Sequence, residues 1–397
     1  MNITHICLAG LFMDGWGYQD NMIAKYHVSF GYDVTVITNQ WVYDHEGNYV
    51  KTDKETEVDR YGVKIIRIPI RGDKPYTYKL KRYAGLYETL CKTKPEIIFL
   101  HSTQIRDVDD IIRYKKENPG VRVYADNHCD YSNSATNWLS KYILHGIIWK
   151  RSAWKLNPYV EKFYGVLPAR VDFMTERYKL PKDRVELLVM GMDDEKAEEA
   201  DQPEVIEEIR KRFDYTREDF VVITGGKIDH AKRQTLFLIE AVKKIKNPHL
   251  KLLVFGSVVE DMKKPLQDLC DSDDRIRYIG WIQADETYPY FAASDLAVFP
   301  GRHSVMWEQV AGQGIPMVVK YWEGTTHVDV GGNVLFLYKD SVEEIQGMLE
   351  KLMRRGSEYQ KMQEAAKEKG KKIFSYRQIS MRAIGMNADM AGKEETE

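Results

Sequence analysis

Short β-branched runs alternate with helix-length stretches almost from end to end of this chain, and few folds accept that order. A parallel neighbour strand can be reached only through a crossover segment, so strands separated by helices specify a doubly wound parallel sheet. In the first half the runs predict strands at Thr4–Ala9, Val34–Thr38, Val63–Pro69, Ile97–His101 and Val121–Ala125, then Leu156–Tyr159 and Glu186–Met190. Helices are expected at Asn21–Ser29, Tyr78–Lys92 and Val108–Lys116. The stretch from Asp193 to Pro203 has almost nothing to bury and reads as an interdomain linker or exposed loop. After it the rhythm restarts, with strands at Val221–Thr224, Leu252–Phe255, Arg277–Ile279, Leu296–Phe299, Met317–Val319 and Val334–Leu337. Helices follow at Gln234–Ile245, Lys264–Cys270, Met306–Gln313 and Val342–Arg354, and the tail Gly392–Glu397 is expected to fray. Two α/β domains in tandem is the economical reading.

A length of 397 residues suits two or three domains. A formal net charge of −2 offers no electrostatic footprint for nucleic acid. Cys7, Cys91, Cys129 and Cys270 are scattered singly, which disfavours disulfides and metal clusters and fits a reducing compartment. The N-terminus lacks a basic leader, and no run approaches the ~18–20 apolar residues of a spanning helix. A cytoplasmic protein is expected. The segment Trp138–Arg151 mixes aromatic, aliphatic and basic residues, which suits a peripheral membrane contact. Its uncharged Ile and Leu favour a core helix of the first domain instead.

Ligands of doubly wound sheets sit beyond the carboxyl ends of the strands, so chemistry is sought in the turns that follow them. Val221 to Arg233 runs from an apolar strand into Gly225-Gly226-Lys227 and then toward a helix. Glycines let backbone approach a ligand, and a helix N-terminus presents unpaired N–H donors to an anion. Lys227, Lys232 and Arg233 crowd that positive end, where the dipole disfavours cations, and a bound anion would remove the conflict. The plainer reading is a solvated Gly-Gly turn with Asp229 as N-cap.

A second turn, Pro300-Gly301-Arg302-His303-Ser304, leads into a helix bearing Trp307, Glu308 and Gln309. Ser304 is placed to cap it, but the capping-box position is Trp307, leaving Glu308 free to accept two ribose hydroxyls. A third cluster, Asp126-Asn127-His128-Cys129-Asp130, suits a functional histidine at a strand end or an Asx-stabilised turn. A metal set of Asp126, His128 and Asp130 lacks convincing further ligands. In the first loop Gly15-x-Gly17 lacks the third glycine of the dinucleotide fingerprint, so NAD binding is the weaker reading.

Together these segments resemble the family-4 glycosyltransferases, across nearly the whole chain and most strongly from Val185 to Lys339. Gly226-Lys227 followed by Lys232 is similar to the family's G-[RK]-x4-K element. Val189-Met190-Gly191-Met192-Asp193 resembles its turn before the second domain. Tyr278-Ile279-Gly280-Trp281-Ile282 resembles the loop whose backbone reads the base. Pro300 to Pro316 occupies the place of the E-x7-E segment, although its first glutamate is missing and the second aligns with Glu308 or Gln309. The resemblance implies a GT-B fold, two Rossmann-like domains at 1–192 and 193–373 facing each other across a cleft, with a last helix within 374–390 returning to the first. It also implies a retaining transfer from a UDP- or GDP-sugar to a glycan, lipid-linked or small-molecule acceptor, in surface polysaccharide or glycoconjugate synthesis. Lys232, Lys227 and His128 become the catalytic candidates; Gly226, Trp281, Ile282, His303, Ser304, Glu308, Gly15 and Gly17 become donor contacts. No metal or other cofactor is expected, since cations would hold the departing diphosphate. The rivals are a GT-B nucleotide-sugar epimerase and a non-catalytic nucleotide-sugar-binding protein.

Overall fold

The computed structural model describes residues 1–44, 48–72 and 80–386. The chain divides into two compact units, one of Met1–Val189 with the chain from Arg377 onward, the other of Met190–Tyr376. The division falls between Val189 and Met190, three residues before the boundary expected after 192.

Among the described residues ten strands belong to the first unit: β1 (Asn2–Cys7), β2 (Asp33–Asn39), β3 (Trp41–Tyr43), β4 (Tyr49–Lys51), β5 (Thr56–Val58), β6 (Lys64–Ile68), β7 (Ile97–Leu100), β8 (Arg122–Asn127), β9 (Lys162–Gly165) and β10 (Val185–Leu187). Eight of them form one sheet in the order β10-β9-β8-β7-β1-β2-β6-β5. Only the β5–β6 edge pair is antiparallel. Strands such as β7, buried along their whole length, read as continuous apolar runs because helices cover both faces. β1 lies between β2 and β7, so the winding reverses between β1 and β7. The three-residue strands β3, β4 and β5 were too short to show a period.

The second unit holds β11 (Phe220–Gly225), β12 (Leu250–Phe255), β13 (Ile276–Tyr278), β14 (Leu296–Phe299), β15 (Met317–Lys320) and β16 (Val334–Leu337). They form an all-parallel sheet in the order β13-β12-β11-β14-β15-β16, with the reversal between β11 and β14. Leu238, Ile239 and Val242 of the Gln234–Lys244 helix and Leu349 and Leu352 of the Val342–Leu352 helix pack with Val222, Leu252 and Val298 of the sheet.

Several expectations are corrected. Leu156–Tyr159 is not a strand. Trp149, Ala153 and Leu156 share the buried face of the Trp149–Leu156 helix, and the strand is β9, further on. The supposed linker contains a helix, Asp194–Ala200, which buries Ala197 and Ala200 and carries Asp194 and Glu195 in the first turn, where the dipole favours acids. The expected Tyr78–Lys92 helix is described only as Leu86–Thr93, and its residues 78 and 79 lie outside the described residues. The terminal helix is Tyr376–Ala383. Its Ile379 is fully buried, and Arg382 O accepts a hydrogen bond from Tyr164 Oη at 2.9 Å. Asn387 and the tail Gly392–Glu397 lie outside the described residues.

The Trp138–Arg151 segment is only partly core. Ser140 and His145 point inward along the wide helical turn Ser140–Ile148, and Trp149 is buried. Trp138, Leu139, Tyr142 and Ile147 are exposed. Among the described residues no helix is long and apolar enough to cross a membrane.

Candidate functional site

In the second unit both sequence-selected turns arise at the one place where the winding reverses, after β11 and after β14. That is where an open α/β sheet leaves a crevice for a ligand. The β11 turn is drawn tight against the β12 turn. Gly226 has φ +114°, and a Cβ on Gly256, itself at φ +125°, would lie 1.8 Å from Gly226 O. Neither backbone could pass the other with a side chain in between.

Beyond Gly226, Lys227 is exposed and its Nζ lies 3.5 Å from Asp229 Oδ2. Asp229 Oδ1 also accepts the Lys232 backbone N–H at 3.1 Å, which shapes the turn His230–Lys232. Lys232 is half-buried, and its stem sits where a Cβ on Gly301 of the β14 turn would be 3.5 Å away. Its amine is pushed below the ordinary lysine value, chiefly by burial, with Asp229 opposing and Arg302 and Lys227 adding repulsion. No acceptor among the described residues bonds Lys232 Nζ. Three cations therefore gather at the reversal, accompanied by one carboxylate.

The β14 turn also builds a buried ion cluster. Glu308 has no accessible surface, and its Oε1 accepts from His303 Nε2 at 2.8 Å and His327 Nε2 at 2.9 Å. A carboxylate oxygen only accepts, so both imidazoles carry their proton on Nε2. Burial would raise the Glu308 carboxyl, but His303 and then His327 outweigh it and hold the group well below the usual range. Glu308 thus faces two histidines rather than an open surface. Its alternative, Gln309, donates to Thr287 Oγ1 at 2.8 Å and to Gln313 Oε1 at 3.3 Å. Ser304 does not cap the Met306–Gly312 helix: the preceding residue is Val305, and Ser304 contributes only its carbonyl, to Trp307 N–H at 3.0 Å. Gly280 O accepts Gly256 N–H at 2.7 Å, which ties the Trp281–Ile282 loop to the β12 turn. Trp281 is exposed and Ile282 half-buried.

In the first unit Gly15, at φ +82°, lies against Arg60, where a Cβ would come 2.5 Å from the guanidinium. The space around Gly17 is open. His128 is half-buried just after β8, and its Nε2 lies 3.1 Å from Asp126 Oδ2 and 3.7 Å from Asp20 Oδ1. Burial would lower His128, yet Asp126 and Asp20 raise it above the ordinary value against repulsion from Arg170. His101, just after β7, places Nδ1 3.0 Å from Asp126 Oδ2 and 3.3 Å from Asp20 Oδ1. Burial opposes its charge, but the two carboxylates raise it to about 10. Asp20 and His101 were missed from sequence. His101 had a signal, being the first residue past a strand that borders the reversal.

Two sets bring ligand-type atoms within 4.8 Å of one another: Asp20, His101, Asp126 and His128, and His303, Glu308 and His327. In each, every imidazole–carboxylate contact just described is short enough for a hydrogen bond or ion pair.

Residues 219–354 match the family described as Glycosyl transferases group 1, and that span holds both turns of the second unit. The second unit thus carries a group 1 glycosyl transferase domain. Among solved structures it is similar to a glycosyltransferase from Rickettsia africae ESF-5, at 15% identity and TM-score 0.67 over 100% of this chain and 98% of that one. It is also similar to HepE of Anabaena in complex with UDP, at 13% identity and TM-score 0.64 over 100% of each chain. A third likeness is to the UDP-GlcNAc 2-epimerase of Neisseria meningitidis bound to UDP-GlcNAc, at 15% identity and TM-score 0.60 over 96% and 98%. These likenesses establish the fold as GT-B, with two Rossmann-like domains. No curated protein matches the chain.

Proposed function

We propose that the enzyme transfers a sugar, with retention, from a UDP- or GDP-linked donor to a glycan, lipid-linked or small-molecule acceptor, in surface polysaccharide or glycoconjugate synthesis. The observation that carries this reading is Lys232: a half-buried ammonium beside Lys227 and Arg302, bonded to no acceptor among the described residues. A charge taken partly out of water without a partner is costly, and a diphosphate is the anion whose size and charge suit three convergent cations. The relatives bound to UDP and to UDP-GlcNAc support that choice of ligand.

As the bond between the anomeric carbon and the diphosphate oxygen breaks, negative charge grows on the departing oxygens. Lys232 and Lys227 stabilise that charge where it develops, and no divalent metal is needed for it. Gly226 lets the backbone come close to the phosphates, and the Trp281–Ile282 loop meets the base. In the first unit Gly15 and Gly17 are donor contacts, and His128 serves the transferred sugar. Glu308 acts on the donor through His303, with Ser304 in the same turn.

The test is a thermal-shift screen across nucleotide-sugars, followed by turnover with and without acceptors. A true donor at ~100 times its dissociation constant adds roughly 2.7 kcal/mol of stability. Stabilisation by none of them would reject the reading. Donor consumed with no acceptor, giving an epimer, would replace it with the epimerase.

A further inference from the structure

Four buried side chains and one backbone carbonyl of the first unit form a single hydrogen-bonded line. Ser380 O, on the terminal helix, lies 2.9 Å from His27 Nε2. His27 Nδ1 is 3.0 Å from His5 Nε2, and His5 Nδ1 is 2.9 Å from His101 Nε2. His101 Nδ1 then meets Asp126, whose Oδ2 is shared with His128. The line draws on the helix Gln19–Ser29, on β1, on the turn after β7 and on β8. His5 and His27 have no accessible surface at all.

The direction of this line follows from proton counting. A carbonyl only accepts, so His27 must donate from Nε2. Burial holds His27 down to about 4 and pushes His5 well below its ordinary value, so each is neutral and owns one ring proton. His27 Nδ1 is then an acceptor, His5 donates to it from Nε2, and His5 Nδ1 becomes an acceptor in turn. His101 must donate from Nε2. Its Nδ1 faces Asp126 and Asp20, which also only accept, so that nitrogen needs a proton too. Two neutral rings therefore end in one obligatory imidazolium.

We propose that His27, His5 and His101 are positioning residues for His128: their one-way chain, anchored on the Ser380 carbonyl, fixes the charge of His101 and with it the orientation of His128. The His101 cation holds Asp126 and Asp20 in place, and Asp126 Oδ1 is fixed further by the Ser102 backbone N–H at 2.9 Å. Both carboxylates then stand on the Nε2 side of His128, which leaves Nδ1 as its outward nitrogen. The charged groups facing His128 are Asp126 and Asp20, which favour its cation, and Arg170, which opposes it. With His101 already neutralising one carboxylate, the other favours a proton on His128, so Nδ1 presents an N–H donor. The terminal helix becomes part of this device, because Ser380 O sets the direction of every bond in the line. The kinetic consequence rests on the glycosyltransferase reading above, whereas the protonation pattern does not.

Nitrogen-15 spectra of the histidine rings of the full chain at about pH 8, above the ordinary histidine range, test the pattern directly. The expected result is His27 and His5 protonated on Nε2 alone and His101 on both nitrogens. A His101 with one proton, or a His5 protonated on Nδ1, overturns the proposal. So does uptake of one equivalent of Zn²⁺ with loss of the imidazolium signals. The kinetic arm compares His27→Gln, which can still accept from His5 and donate to Ser380, with His27→Leu, which can do neither. His27→Leu is expected to lower kcat by about 100-fold, the scale of a misplaced catalytic group, with nucleoside diphosphate affinity unchanged. His27→Gln is expected to recover most of that loss. A folded His27→Leu protein with normal kcat, or equal losses in both variants, overturns the proposal. If the wild type turned over no nucleotide-sugar, the functional reading would fail while the spectra still decided the relay.

Discussion

His303 Nε2 lies 2.8 Å from Oε1 of Glu308, a carboxylate with no surface of its own. Glu308 thereby sets the tautomer of His303 and holds the β14 turn through it. Glu308→Gln keeps one acceptor oxygen for the two imidazole donors but removes the negative charge they face and buries an NH2 group at the position of Oε2, which has no hydrogen-bond partner among the described residues. The expected cost is about 3 kcal/mol of stability, the scale for breaking a buried charged pair, together with weaker nucleoside diphosphate binding. Denaturant unfolding and calorimetry of the same variant measure both. Unchanged stability and affinity would show that the two histidines do not depend on the carboxylate.

The same pair gives a pH expectation. The folded Glu308 carboxyl is depressed below its unfolded value, which is about 4.3. Its ionisation therefore contributes stability that is fully present above the unfolded value and is lost as pH falls through the folded one. The stability gap between wild type and Glu308→Gln should stay level from neutrality to about pH 5 and narrow only under stronger acid. A gap that closes between about pH 7 and 5 would assign the dependence to the histidines instead.

Most of the sheet was legible because its signal is local. Leu296–Phe299 and Val334–Leu337 are apolar runs bounded by turns, and the strands begin and end where the runs do. The Asp193–Pro203 stretch misled because two alanines are enough to anchor a short helix whose other faces are acidic. Lys227, Lys232 and Gly226 were visible because a strand, paired glycines and cations adjoin in sequence. His5, His27 and His101 were not, since their sequence separations reach 96 residues and only strand order brings them into line. A histidine inside an apolar strand looks like any other core residue. Glu308 stood out in the sequence for lacking a capping role, but its two partners, in different loops, were invisible.

Turnover is expected to survive chelation of free divalent ions. Lys227, Lys232 and Arg302 converge where a diphosphate would need neutralising, so a metal has no charge left to balance there. Rates measured in EDTA and after adding Mg²⁺ or Mn²⁺ check this. Complete loss in EDTA, restored by either ion, would overturn it.

The exposed row Trp138, Leu139, Tyr142 and Ile147 lies beside Lys141, Lys150 and Arg151, which suits the surface of an anionic bilayer. Co-sedimentation with vesicles rich in anionic lipid should therefore exceed that with neutral ones. Replacing Trp138 and Ile147 by serine should abolish the difference without lowering stability, because neither side chain is buried. Equal recovery with both kinds of vesicle would remove the membrane as a partner for this surface.

Lys232 distinguishes binding from chemistry. Its amine is half-buried, destabilised by burial and by Arg302 and Lys227, so an anion that arrives beside it relieves an existing strain in charge. That relief is greatest when the anion carries most charge, as the diphosphate departs, so Lys232 should favour the transition state over the bound donor. Lys232→Ala is expected to lower kcat by roughly 100- to 1,000-fold, the ~2.7–4 kcal/mol typical of one lost electrostatic contact, with a smaller change in KM. Lys227 is exposed and already paired with Asp229 at 3.5 Å, so Lys227→Ala should cost less. Lys232→Arg keeps the charge but spreads it over a planar guanidinium on a longer reach than the compact ammonium. It should restore donor binding more fully than turnover. Steady-state kinetics of the three variants decide the point. A raised KM with normal kcat in Lys232→Ala would make Lys232 an anchor for the donor alone.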